Sequence, residues 1–292
     1  MYKATRRHGR EKGSTRDIKI TYDGLARADG SARFGFGKYF SCISFPCISC
    51  WFDYLGDTVA LASISGPIEV RLASELPSKA MFEVILRPLT NVPATDSKAL
   101  AATIRTSLEP SLILTSNPRT LIQLVIQSLS QVHNSMWRDS LTAAMINASC
   151  LALLNSGSIY MRGVITAVAI GRLPDGTLVV DPDEDEEERL GGGGCFAFIF
   201  ADGLDKTNAD CVWSGWKSMS GTHDESELFS ARELAKATAL EVYLAMKKSI
   251  ETFGARVSYN TDIQATQARS LSKVSKDKTM VEDDSDDNRM EM

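Results

Sequence analysis

The sequence predicts an α+β fold in which mixed sheets pack against helices. Three observations carry that expectation. Residues 58–64, Thr-Val-Ala-Leu-Ala-Ser-Ile, are apolar or small at both parities, the pattern of a strand covered on both faces. Gly66-Pro67 is expected to break this run and turn the chain into a second extended run, 81–86. A helix is then predicted over 99–108, where Leu100, Ile104 and Leu108 recur on one face. Two βα-type halves result, 57–108 and 165–253, without a close internal sequence repeat.

Residues 1–16 are polar and basic, carrying Lys3, Arg6, Arg7, Arg10, Lys12 and Arg16, and read as a mobile arm. Residues 17–21 begin a strand, and Arg27-Ala28-Asp29-Gly30 turns the chain into another. Leu121, Ile122, Leu124, Val125 and Ile126 make 120–130 the next extended run. A helix follows over 139–155. Its small residues Ala143, Ala144, Ala148 and Ala152 allow close approach to a sheet, with Asp139 as N-cap and Asn155-Ser156-Gly157 as the stop. Runs 162–171 and 177–181 flank Leu173-Pro174-Asp175-Gly176, a hairpin turn. Further strands are expected at 195–201 and 211–216, joined through Asp202-Gly203. A long amphipathic helix is expected over 226–253, and 254–292 reads as a disordered acidic tail.

A hydrophobic content of 43% over 292 residues is ample for a buried core. No apolar run reaches the about 18 residues of a spanning helix, and no signal peptide is legible. The reading is a soluble intracellular chain with no membrane association. The net charge of −5 is segregated. Residues 181–188 hold seven carboxylates and no cation, and 276–292 are acidic as well. The remainder is moderately basic, which fits nucleic acid and fits an ordinary solvated surface equally. Of the six cysteines, Cys150, Cys195 and Cys211 lie in apolar contexts and read as small core residues of a reducing compartment.

Gly56-Asp57-Thr58, Ser65-Gly66-Pro67-Ile68-Glu69-Val70 and Asp181-Pro182, in this order and spacing, resemble the RNase PH family, the non-catalytic exosome ring subunits among its members. The resemblance covers roughly 21–253. It implies a two-layer α/β RNase PH-like fold, of the ribosomal protein S5 domain 2-like kind, over 17–253. It also implies 3′-to-5′ RNA processing and decay, including ribosomal RNA maturation, by an assembled complex. Its partners would be other RNase PH-type exosome subunits in a hexameric ring, and RNA. Residence would be in the nucleus, nucleolus and cytoplasm. In the family the strand at 31–37 runs straight into Gly-Asp-Thr. Here 38–55, aromatic and rich in Cys and Ser, has no family counterpart. It is either a translated intron or a hairpin extension exposing Phe40, Phe45, Trp51 and Phe52.

Phosphorolysis needs phosphate donors at a helix N-terminus and a carboxylate acting as general acid or metal ligand. Aligned with the family, Asp96-Ser97-Lys98 occupies the donor position, where a carboxylate repels phosphate. The family's acid opens the strand that here begins Gly194-Cys195-Phe196, without a carboxylate. The run 181–188 precedes that strand and reads as a solvated acidic loop. These residues predict no catalytic residue, no cofactor and no metal. The alternatives are an active phosphorolytic 3′-to-5′ exoribonuclease and a small-molecule kinase or isomerase of the same fold. Cys42-x4-Cys47-x2-Cys50 has the spacing of an iron–sulfur or half-zinc set but lacks a fourth ligand, and reads as coincidence. The three histidines form no triad, and Gly191–Gly194 reads as a flexible linker. Arg71, Lys79 and Arg87 are the candidate RNA contacts: if their region faces a ring channel they would meet phosphates without reading sequence, and otherwise they are a solvated hairpin.

Overall fold

A computed structural model describes residues 6, 10–22, 24–25, 27–37, 58–89, 92–130, 138–201, 209–219 and 225–254. The expectations for 38–55, for Cys42, Cys47 and Cys50, for the histidines and for the tail beyond 254 lie outside these residues. The chain divides into units Met1–Met246 and Lys247–Met292, and the described residues of the second, 247–254, are helical.

The first unit holds two sheets. One runs in the order β1-β2-β3-β5-β4, built from Ile18–Thr21, Gly30–Phe36, Thr58–Glu69, Thr120–Ser128 and Met81–Arg87. It is mixed, because β4 lies parallel to β5 while the other pairs are antiparallel. The parallel pair requires a crossover, and helix α1, Thr95–Leu108, supplies it. The other sheet is antiparallel throughout, in the order β7-β6-β8-β9, from Leu178–Val180, Val164–Arg172, Gly192–Phe200 and Asp210–Ser218.

Helix α2, Asp139–Ser156, is the centre of the core. Residues 140–153 are buried without exception, so the helix is enclosed on all sides. Its polar residues hold both sheets. Asn147 donates to the Ala167 carbonyl of β6 at 2.9 Å and accepts from the Ala167 amide at 2.7 Å. Asn155 donates to the Ser31 carbonyl of β2 at 3.0 Å. A side chain at Gly30 would strike the Ala152 carbonyl, so glycine there lets β2 approach the helix. Gly157 ends α2 with φ 62°, as the sequence predicted. The short helix α3, Glu184–Glu187, follows β7, and α4 covers 225–246 within the first unit. Helix α4 packs against the second sheet, where Tyr243 stacks on Phe200 at 4.6 Å and Thr166 donates to the Ala239 carbonyl at 3.3 Å.

Four expectations need correction. Gly66-Pro67 does not end β3, which continues to Glu69 through a register shift between Ser65 and Ile68. The strand's second face is half-buried rather than covered. Gly192 to Gly194 are strand residues, not a linker. A Cβ on Gly194 would strike the Gly215 carbonyl and lie 2.8 Å from Trp216, so β8 and β9 demand the glycine. Asp139 is not an N-cap: Arg138 holds that position without a side-chain cap bond, and the aspartate lies in the first turn, as Asp96 does in α1.

Gly66 has φ 149°, donates to Asp29 at 2.7 Å and accepts from the Ser158 hydroxyl at 2.7 Å. A Cβ there would lie 2.9 Å from the Leu121 carbonyl oxygen and 3.0 Å from the Ile122 Cα. Gly66→Ala is therefore expected to destabilise the chain by roughly 2–3 kcal/mol, read as a lower urea midpoint at unchanged slope.

Candidate functional site

The acidic run and the basic arm meet. Arg16 grips Asp181 through three hydrogen bonds, Nε to Oδ2 at 2.8 Å, Nη2 to Oδ1 at 2.7 Å and its backbone amide to Oδ2 at 3.0 Å. Its Nη2 also donates to the Thr58 hydroxyl of β3 at 3.1 Å. Arg6 donates to Glu186 at 2.9 Å and to the Val180 carbonyl at 2.6 Å, and Arg10 lies 3.4 Å from the same carboxylate. Asp181 and Arg6 are buried. Arg6, Arg10 and Arg16 of the arm are thus anchored, and Asp181, Asp183 and Glu186 of the acidic run are ion-paired, while Asp185 and Glu188 stay exposed as a solvated loop would have them. A buried carboxylate that keeps its charge must be paired, and these arginines pair it.

The charges respond accordingly. Burial alone would raise the carboxyls of Asp181 and Glu186. The charge and hydrogen bonds of Arg16, with the charge of Arg10, hold Asp181 below its usual range, and the Arg6 bond and charge do the same for Glu186. Glu187 lacks such a grip, and burial pushes it up to about 8 against the opposing influence of Arg16 and Ser140.

This segment adjoins the N-terminus of α2, where Ser140 donates to the Pro182 carbonyl at 3.2 Å. Asp139 is the first residue of the helix, and burial raises its carboxyl. Its Oδ1 lies 3.9 Å from Lys217 of β9, and its Oδ2 is buried without a hydrogen-bond partner among the described residues. Arg138 lies 3.9 Å from Asp96 in the first turn of α1, so the starts of the two helices face one another. Between them lies a cleft of about 420 Å³, lined by Asp96, Ser97, Ser128, Ser130 and Arg138 together with apolar side chains that include Leu141 and Met145.

Two helix N-termini with an arginine between them would suit an anion, were their first turns free of carboxylates. Each helix end contributes about 0.3–1 kcal/mol toward a negative group. In this cleft the exposed Asp96 carboxylate faces Arg138, and Asp139 lies toward Lys217. The start of β8 contributes no acid, and the close approach of Gly215 and Trp216 leaves Gly194 no space for one. No group of His, Cys, Asp and Glu among the described residues has metal-holding geometry.

The three candidate RNA contacts separate. Arg71 lies just beyond β3 and Lys79 just before β4, both at the Thr120 end of β5. Arg87 closes β4 opposite Gln127, at the far end of the sheet. Lys79 is also 3.3 Å from Glu109. One patch of three cations is therefore not formed, and Arg71 with Lys79 is the pair that remains. The sequence reading missed Arg138, Asp139 and Glu187. The charge segregation it noted was the signal for the arm's pairing, but it gave no partners.

Residues 14–158 match the model of the RNase PH 3′ exoribonuclease family, domain 1. The exosome complex exonuclease RRP46 homolog of Oryza sativa subsp. japonica is 30% identical over 186 residues, 64% of this chain and 67% of that protein. The exosome complex component RRP46 of Saccharomyces cerevisiae is 27% identical over 197 residues, 67% of this chain and 86% of that protein. The crystal structure of rice Rrp46 superposes with a TM-score of 0.65 at 25% identity, over 84% of this chain and 99% of that one.

Asp181→Asn tests the clasp. It leaves Arg16 without its main counter-charge, and a loss of roughly 3 kcal/mol is expected near neutral pH. A lowered carboxyl contributes stability above its unfolded value and loses it as pH falls. The gap between variant and native chain should thus hold down to about 3.8, the ordinary aspartate value, and close below it, as read by urea unfolding across pH.

Proposed function

This chain belongs to the RNase PH family of 3′ exoribonucleases, and from that premise we propose that it is a non-catalytic subunit of an RNA exosome ring. Its work is to pair with other RNase PH-type subunits, in a ring of six, and to help guide RNA toward 3′-to-5′ processing and decay, ribosomal RNA maturation included. Two of its relatives carry exosome names, which supports the complex. The observation that carries inactivity is the replacement of both catalytic requirements. Carboxylates occupy the first turns of α1 and α2, and β8 opens on glycines that its neighbours hold in place.

RNA would meet this subunit through phosphate contacts at Arg71 and Lys79, independent of sequence. Residence in nucleus, nucleolus and cytoplasm goes with such a role. An active phosphorolytic exoribonuclease is the competing reading, and one assay separates the two. Isolated chain incubated with poly(A) in phosphate buffer should release no nucleoside diphosphates. Phosphate-dependent release, lost when Asp139 or a residue of 181–188 is substituted, would establish the competing reading instead.

A further inference from the structure

Arg119 stands out in the backbone. Its φ is 61°, in the left-handed region that a long side chain rarely adopts and glycine adopts freely. The surrounding structure holds it there. Its amide donates to the Leu76 carbonyl at 3.2 Å, which ties the connection between β3 and β4 to the foot of β5. Glycine would take the same backbone at lower cost, so what the strain retains is the side chain. The guanidinium lies 3.3 Å from Glu75, and the side chain is 70% exposed. An ion pair this open contributes little to stability, so it does not account for the arginine. Strand register shows what does. β5 lies between β3 and β4, with Glu69 opposite Thr120 and Met81 opposite Leu121. Arg119 directly precedes Thr120, Arg71 lies just past Glu69, and Lys79 just before Met81. The three cations therefore share one end of the sheet, with Arg119 on the middle strand.

We propose, resting on the assignment of RNA phosphates to Arg71 and Lys79, that Arg119 is a further phosphate contact and completes with them a cationic cluster at the Thr120 end of the first sheet. A guanidinium presents a planar fork of donors that matches two phosphate oxygens, which a lysine cannot reproduce. An incoming phosphate takes the place of the Glu75 carboxylate on Arg119, one anion exchanged for another in water. Lys79 makes the same exchange with Glu109, its partner at 3.3 Å, and that pair is also open to solvent. The cluster meets the RNA backbone and not the bases, so it holds every sequence alike.

Binding of full-length chain to fluorescent single-stranded oligo(A) and oligo(U), across a salt series, tests the contact. Arg119→Gln should weaken both RNAs by the same factor and make the fall of log affinity with log salt shallower by about 0.7, the value of one phosphate contact on a single strand. Arg119→Lys, which keeps the charge but not the fork, should restore the slope and only part of the affinity. Glu75→Gln, which removes the competing carboxylate, should strengthen binding. Arg119→Gly should weaken RNA as Arg119→Gln does and yet raise the urea midpoint, because it relieves the backbone. A lowered midpoint in Arg119→Gly would make the arginine a structural group and overturn the proposal. The double variant Arg71→Gln with Lys79→Gln separates the two levels. If it weakens RNA while Arg119→Gln does not, Arg119 is no contact and the assignment of Arg71 and Lys79 stands. If neither changes binding, that assignment falls and Arg119 with it.

Discussion

The buried pair of Arg16 and Asp181 is the interaction on which the architecture depends. Asp181 leaves β7 with φ 48°, and its amide bonds to Ala169 of β6 at 2.9 Å. Its carboxylate is therefore fixed at the margin of the second sheet. Arg16 reaches it from the segment before β1 and also bonds Thr58 of β3 in the first sheet. One guanidinium thus bridges both sheets on the side where α2 begins. Such a pair has a large desolvation cost, and its geometry offsets that cost through several simultaneous bonds. Its main consequence is register: arm, first sheet and acidic segment can meet in only one way.

That arrangement also determines what the chain can do chemically. Arg6, Arg10 and Arg16, the most conspicuous cations of the sequence, are committed to internal carboxylates. The α2 N-terminus, where an anion would gain most from the helix dipole, faces Asp139 and Glu187 instead. The core rests on α2 and its alanines.

Much of the fold was legible in the sequence. The elements of both sheets, the helix over 139–155 with its Gly157 stop, and the alanine face of α2 follow from periodicity and turn chemistry. The exceptions share a physical cause, which is neighbours distant in the chain. Gly66 and Pro67 look like a break, yet Asp29 and Ser158 hold them within β3. Gly192 to Gly194 look like a linker, yet the approach of β9 requires glycine. The run 181–188 looks solvated throughout, because nothing local shows that three arginines from the N-terminal segment pair its Asp181, Asp183 and Glu186. In the cleft, Asp96 was found by resemblance, but beside it, at the start of α2, Asp139 was read as a cap. A cap and a first-turn carboxylate differ by one residue, and only backbone angles separate them.

The proposed role is one of assembly with neighbours, so the state of the chain in its native particle is the decisive property. Native mass spectrometry of the particle purified through this chain at its endogenous level measures that state. The account predicts a ring in which the chain sits beside distinct RNase PH-type subunits, with no free pool releasing nucleoside diphosphates from RNA. A homo-oligomer of this chain alone, active in phosphate, would contradict it.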